Sequence, residues 1–313
     1  MTNGVLVVGG FGTIGGRLSE RLEQTTDISV RLSSRTSRQA PAWAPRASTC
    51  TVDVTTGSGW REALNGVETV VYLVSLPDFA AKERPELARK VGVDGTRNVL
   101  EASIAAGAKR FIFLSTGHVY GTPYVGHITE KTPTNPQQPY ATTHLEAEQL
   151  VAVAHERGDI EGLRVRLSNG FGFPKRADNE IWQIIINDLC RQAVTTGRLE
   201  LRTTGVQRRN FIPYADVCTA LIHMITMPRV GDGLFNLGST VTMSIADAAR
   251  RVQQRAGQVL GRDLALKIPT GPFEESPELN FDSTKIRATG LTLTDDLDGE
   301  IDSLLRYCAE TFS

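Results

Sequence analysis

Gly4-Val-Leu-Val-Val-Gly-Gly-Phe-Gly-Thr-Ile-Gly-Gly16 decides the fold of this chain. Val5 to Val8 is a short apolar run rich in β-branched residues, the composition of a strand buried on both faces. Gly9, Gly12 and Gly15 follow at intervals of three, and Ile14, Leu18 and Leu22 then recur every four residues, as on one face of a helix. Glycine lets the backbone turn tightly and come close to a pyrophosphate. The helix start adds unpaired N–H groups and a partial positive charge. Spaced glycines alone also mark ordinary turns. Set between a strand and a helix at the head of an α/β chain, they predict a dinucleotide-binding loop.

Working outward, the pattern alternates. Strands are expected over residues 28–33, 49–54, 69–74, 109–114 and 163–167. Helices are expected over 58–64 and 85–107, the latter open to interruption at Gly92 and Gly95, and from Pro139 onward, where proline suits a first helical turn. Such alternation predicts an α/β fold, a Rossmann-type doubly wound parallel sheet with helices on both faces. Beyond residue 175 the alternation loosens. Trp182, Ile185, Ile186, Leu189 and Ala193 mark a helix, short strands follow near 199–202 and 209–212, and a helix over 216–227 precedes a strand at 234–237. Helices over 245–255 and 297–308, with a strand at 264–268, complete the chain. The expected division is a dinucleotide-binding domain over 1–174, tyrosine helix included, and a smaller α+β substrate lobe over 175–313 with some segments returning to the sheet.

Composition excludes several classes. The 313 residues are 40% hydrophobic and 22% charged, with a net charge of −1, so nucleic acid and anionic membranes are not expected partners. Cys50, Cys190, Cys218 and Cys308 are scattered without metal-ligand spacing, so no metal is expected and reduced thiols of a cytoplasmic protein are. No leader peptide and no apolar run of membrane-spanning length is apparent.

The end of the second strand speaks to cofactor choice. Where NAD-binding units place a carboxylate on the adenosine ribose, this chain reads Leu32-Ser33-Ser34-Arg35-Thr36-Ser37-Arg38. Hydroxyls and guanidinium groups accommodate a 2′-phosphate that a carboxylate would repel, so NADP(H) is preferred over NAD(H); the alternative is that Arg35 and Arg38 are solvated loop charges. Asp53 reaches the adenine or caps the next turn.

The ordered set Gly9-x-x-Gly12-x-x-Gly15, Gly95-Thr96-x-Asn98, Ser115-Thr116-x-x-Val119-Tyr120-Gly121, Tyr140-x-x-x-His144, Arg166-Leu-Ser-Asn169, Arg209 to Asp216 and Phe235 to Ser239 resembles the extended short-chain dehydrogenase/reductase family of nucleotide-sugar epimerases, dehydratases and ketoreductases, over nearly the full length. The resemblance implies a nucleotide-sugar substrate and a homodimer. It implies cofactor contacts from Gly9, Phe11, Gly12, Thr13, Ile14, Gly15, Ser34, Arg35, Asp53, Val54, Leu73 and Val74, and from Tyr140 and His144. Catalysis is expected of Tyr140 as acid/base, Thr116 orienting the substrate oxygen, and His144; substrate contacts are expected of Asn169 and Arg209. His118 either faces the substrate or is a plain loop residue, and Tyr120 and Tyr124 read as packing residues.

Three departures matter. His144 stands where the family carries a lysine, and a histidine of reference pKa ~6.5 is mostly neutral at pH 7 unless its site raises it. Gly92 stands where many members have asparagine. Gly117-His118 replaces the Asp-Glu pair usual in sugar 4,6-dehydratases, which disfavours dehydration. The leading expectation is NADPH-dependent reduction of a keto group on a nucleotide-activated (deoxy)sugar. An epimerase with retained NAD is second, and a catalytically impaired NAD(P)-binding protein is the alternative outside enzymes.

Overall fold

In β1 (Gly4–Val8) all five residues are buried, and successive side chains enter opposite layers. Val5 and Val7 join Leu18, Leu22, Leu32 and Leu221 on one face of the sheet, while Leu6 and Val8 join Val70, Phe111, Ala147 and Val151 on the other. This double burial explains the unbroken apolar run. The structure, a computed structural model, describes residues 4–271 and 276–312.

β1 is followed by β2 (Ser29–Ser34), β3 (Ser48–Thr51), β4 (Val67–Tyr72), β5 (Arg110–Thr116), β6 (Glu161–Leu167) and β7 (Leu234–Leu237). They form one sheet in the order β7-β6-β5-β4-β1-β2-β3, with every pairing parallel. The order turns back between β1 and β4, which opens a crevice at their carboxyl ends. The Thr13–Thr25 and Tyr214–Thr226 helices cover one face. The other face carries Gly95–Ala105 and the tyrosine helix Pro139–Glu156.

The helix expected over 85–107 exists in three pieces, Pro85–Arg89, a wide π turn Lys90–Asp94, and Gly95–Ala105. A side chain at Gly92 would stand 3.3 Å from Thr143 on the tyrosine helix, so the two helices meet there with little room for a side chain. Several boundaries differ from the sequence reading, these among them. β3 ends at Thr51, leaving Asp53 in the turn beyond it. The helix after residue 180 begins at Ile185, and Trp182 instead stacks on Tyr307, centroids 6.3 Å apart.

The remaining segments build a further apolar cluster and small sheets. Ile185–Thr195, Ile245–Leu260 and Leu297–Phe312 pack around Phe171, Leu189, Val252 and Leu304. Arg208–Pro213 pairs with Asn169–Phe171 on one side and Thr242–Ser244 on the other. Gly126–Ile128 pairs with Leu279–Phe281, an arrangement without sequence signal because three-residue strands show no period. Among the described residues no helix is long and apolar enough to cross a membrane, and all four cysteines are unpaired.

Candidate active site

The glycine loop sits at the mouth of the β1–β4 crevice. Gly9 adopts φ +87°, its N–H donates to Ser33 Oγ (3.3 Å), and Gly12 N–H donates to Gly9 O (2.9 Å). A Cβ at Gly15 would lie 2.3 Å from Gly9 O and 2.9 Å from Gly10 Cα, so the helix start lies against the loop. No side chain caps the Thr13–Thr25 helix and no acid sits in its first turn, which leaves its first N–H groups for an anion. Leu73 and Val74 follow β4, and the Val74 side chain lines the loop beside Gly9. Val54 O accepts from Asn98 Nδ2 (2.8 Å), which gives the Gly95-Thr96-x-Asn98 motif a structural task. These residues fit a dinucleotide pyrophosphate: the glycines let loop and helix start fold closely on one another, and the helix start offers unpaired N–H groups to an anion.

At the end of β2, Arg38 Nε donates to Ser34 Oγ (3.1 Å), and its guanidinium lies 5.2 Å from the centroid of the Phe11 ring. Arg35 is exposed beside it. Asp53 accepts from Thr55 N and Thr55 Oγ1, both at 2.8 Å, so it caps its turn. Those bonds, helped by the charge of Arg35, hold its carboxyl below the usual range.

Thr116 ends β5, and Tyr140 stands in the first turn of the tyrosine helix. Burial raises the Tyr140 phenol above its ordinary pKa, a hydrogen bond with Thr116 opposes this, and the Asp78 carboxylate adds to it. Thr116 thus stands near enough to the Tyr140 hydroxyl to act on it. His144 is 5% exposed, its ring centroid 4.3 Å from that of Tyr140, and its Nδ1 lies 2.7 Å from Tyr140 O. Burial lowers its pKa more than that hydrogen bond and the Glu148 carboxylate raise it. His144 is therefore neutral at pH 7, and the family cation has no substitute in it.

Facing this pair, His118 lies on the Gly117–Tyr120 turn, its ring edge-on to Tyr140 and Tyr124 at 6.2 and 6.1 Å. Its Nδ1 meets Thr122 Oγ1 (3.2 Å). Burial, then the charge of Arg209, lowers its pKa to about 4. Asn169 Nδ2 donates to Tyr124 OH (3.2 Å) and to Asn210 O (3.1 Å). Arg209 Nη2 donates to Gln207 Oε1 (3.2 Å), while its Nη1 is buried without a protein partner. A permanent cation with a spare donor fits an anionic ligand group. His118, Asn169 and Arg209 thus gather around Tyr124.

Some contributors escaped the sequence reading. Tyr124 packs, as expected, against Phe281, yet its hydroxyl also fixes Asn169. Asn210 locks the two late motifs together, donating from Nδ2 to Ser239 O (2.9 Å) and accepting from Ser239 N (3.1 Å). Asp78, on the Asp78–Glu83 helix, acts on both Tyr140 and His118. Tyr124 and Asp78 lie outside the quoted motifs, and Asn210 lies within Arg209 to Asp216 without a role read for it.

A doubly wound sheet with a glycine loop at its switch point, a threonine at the end of β5 and a tyrosine at the start of the following helix defines a dinucleotide-dependent oxidoreductase fold of the short-chain type. Residues 5–238 match the model of the NAD dependent epimerase/dehydratase family, and the chain belongs to that family. It is 27% identical to a low-salt glycan biosynthesis protein of Haloferax volcanii over 315 residues, 91% of this chain and 92% of that one. It is 30% identical to mouse dTDP-D-glucose 4,6-dehydratase over 167 residues, 52% of this chain and 44% of that enzyme. Among solved structures, MoeE5 in complex with UDP-glucuronic acid and NAD superposes with a TM-score of 0.82 at 23% identity, over 99% of this chain and 100% of that one. UDP-glucose 4-epimerase of Thermotoga maritima with UDP-glucose superposes equally, at 0.82 and 20% identity, over 99% and 100%. At these identities the structural likeness is one of fold.

Proposed function

We propose that this enzyme reduces a keto group of a nucleotide-activated (deoxy)sugar with NADPH. The observation that carries the reading is the environment of Tyr140. The charged group acting on it is the Asp78 carboxylate, and the neighbouring His144 is neutral, so Tyr140 keeps its proton at physiological pH. A protonated phenol is an acid. It suits delivery of a proton to a carbonyl oxygen and is a poor base for the reverse step.

In this reading the keto oxygen accepts hydrogen bonds from Tyr140 OH and Thr116 Oγ1, and Tyr140 passes its proton to that oxygen as it becomes a hydroxyl. The chemistry supplied with the cofactor bound is hydride transfer to the carbonyl carbon. Ser34, Arg35 and Arg38 support NADPH through the charge a 2′-phosphate needs, Arg209 takes the diphosphate, and Asn169 and His118 orient the sugar. The fold relatives bound to UDP-sugars support that substrate class. A homodimer and a cytoplasmic location accompany the reading, checked by gel filtration and cell fractionation.

Purified protein incubated with NADPH and a 4-keto-6-deoxy sugar nucleotide should oxidise the NADPH, and Tyr140→Phe should abolish this. If no keto-sugar is reduced and the protein purifies with NAD tightly bound, the second reading replaces the first: an epimerase, supported by the NAD found in related complexes. An active wild type with a dead Tyr140→Phe variant excludes the catalytically impaired alternative.

A further inference from the structure

Beneath Thr116 and Tyr140 lies a buried charge network that the reaction above does not use. Glu148 stands two turns beyond Tyr140 on the same helix, and its side chain is 4% exposed. It accepts from Ser115 Oγ (2.5 Å), from Arg166 Nε (3.0 Å) and from Arg166 Nη2 (2.7 Å). Ser115 directly precedes Thr116 on β5, and Arg166 is its register partner on β6. The Arg166 guanidinium covers the Tyr120 ring at 4.8 Å, and Tyr120 OH donates to Asn236 Oδ1 (2.6 Å) on β7. One carboxylate therefore ties the tyrosine helix directly to β5 and β6, and through Arg166 and Tyr120 indirectly to β7 and to the turn that carries His118.

Such a pair is poorly explained by stability. Burying two charges costs several kcal/mol each, and well-packed apolar replacements are often as stable or more so. What apolar contacts do not supply is direction. Ala147, Val151 and Ala154 press the helix onto the sheet, yet they set its distance rather than its position along the strands. A slide of one residue is ~1.5 Å, enough to separate Tyr140 from Thr116. Misplacement on that scale costs about 100-fold in rate.

We propose that Glu148 is a positioning residue, with Ser115 and Arg166 as its partners, that fixes the register of the tyrosine helix so that Tyr140 meets Thr116. The inference rests on the Thr116–Tyr140 reading of the site. Ser115→Ala removes the bond next to Thr116 with little threat to folding, and Glu148→Leu/Arg166→Met removes both charges together. Both variants should lower kcat for NADPH-dependent keto-sugar reduction by about 10-fold or more, with KM and cofactor Kd within about twofold of wild type. A readout independent of substrate is the NMR signal of Tyr140 in 13C-tyrosine-labelled protein, assigned by its loss in Tyr140→Phe; it should shift in both variants. Folded variants with wild-type kcat and an unmoved Tyr140 signal overturn the proposal. So does a parallel fall of kcat, cofactor affinity and melting temperature, which marks a merely structural pair. If Tyr140→Phe retains activity, the reading of the reaction fails instead. If no substrate is turned over, the Tyr140 signal alone decides.

Discussion

His144 Nδ1 lies 2.7 Å from the main-chain carbonyl oxygen of Tyr140, one turn earlier in the same helix. The imidazole thereby donates its one N–H to the backbone, and its other nitrogen is left as an acceptor. A lysine here would carry a permanent positive charge beside the phenol and lower its pKa. His144→Lys should therefore do two things. Oxidation of the hydroxy-sugar at pH 7–8 should rise by about 10-fold, because a phenolate becomes accessible. The alkaline limb of reduction, which requires the protonated phenol and should lie above pH ~10 in the wild type, should move down by about 1–2 units. Superimposable pH–rate profiles would sink the argument.

At the other end of the crevice, Arg35 and Arg38 flank Ser34 without a carboxylate at the strand end. A charge-assisted contact to a phosphate is worth ~1.5–3 kcal/mol, or about 10- to 100-fold in affinity. Arg35→Ala/Arg38→Ala should raise KM for NADPH by that factor and leave KM for NADH within about twofold. Equal changes for both cofactors would assign the two arginines to the loop surface.

The sequence was most informative where one residue type answers to one constraint. The apolar run of β1, buried on both faces, and the glycines that must admit Gly9 O were legible because no other composition fits them. The Tyr140–His144 spacing placed both on one helix face. What stayed hidden depends on three-dimensional company. Whether His144 is charged follows from burial against Tyr140 and Phe113, which no local pattern states. The Glu148–Arg166 pair looks like two ordinary charges until β6 and the tyrosine helix meet. Tyr124 reads as a loop tyrosine, and only the pairing of Asn169–Phe171 with Arg208–Pro213 puts Asn169 beneath its hydroxyl.

Gly15 tests the cofactor cradle. Alanine there would bring Cβ to 2.3 Å from Gly9 O, a contact that must displace the loop or the helix start. Overpacking of this kind costs ~1–3 kcal/mol. Gly15→Ala should lower the melting temperature and weaken NADPH binding by more than tenfold. Gly257 is the matched control. It lies in the Ile245–Leu260 helix, where an added Cβ meets Arg262 O at a comfortable 3.7 Å. Gly257→Ala should raise stability by about 0.5–1 kcal/mol through helix propensity. Thermal melts and cofactor titration of the two variants check both signs.

His118 should govern stability in mild acid. Its pKa falls from 6.5 to about 4 in the folded chain because burial and Arg209 disfavour the imidazolium. The unfolded state therefore binds a proton more readily. The folded state keeps its full advantage above pH ~6.5, and loses it progressively as pH falls toward about 4. Asp232, Asp247 and Asp282, whose pKa values are also lowered, act in the same direction but below the ordinary carboxylate range, so they leave the window above pH ~4.5 to the histidines. His144 and His223 share that window, since burial lowers both. Urea unfolding between pH 7 and 4.5 should therefore give a stability that declines with acid, and His118→Gln should make the decline shallower without abolishing it. An unchanged slope in His118→Gln would mean that His118 is already solvated as freely in the folded chain as in the unfolded one, and its place beside Tyr140 would have to be given up.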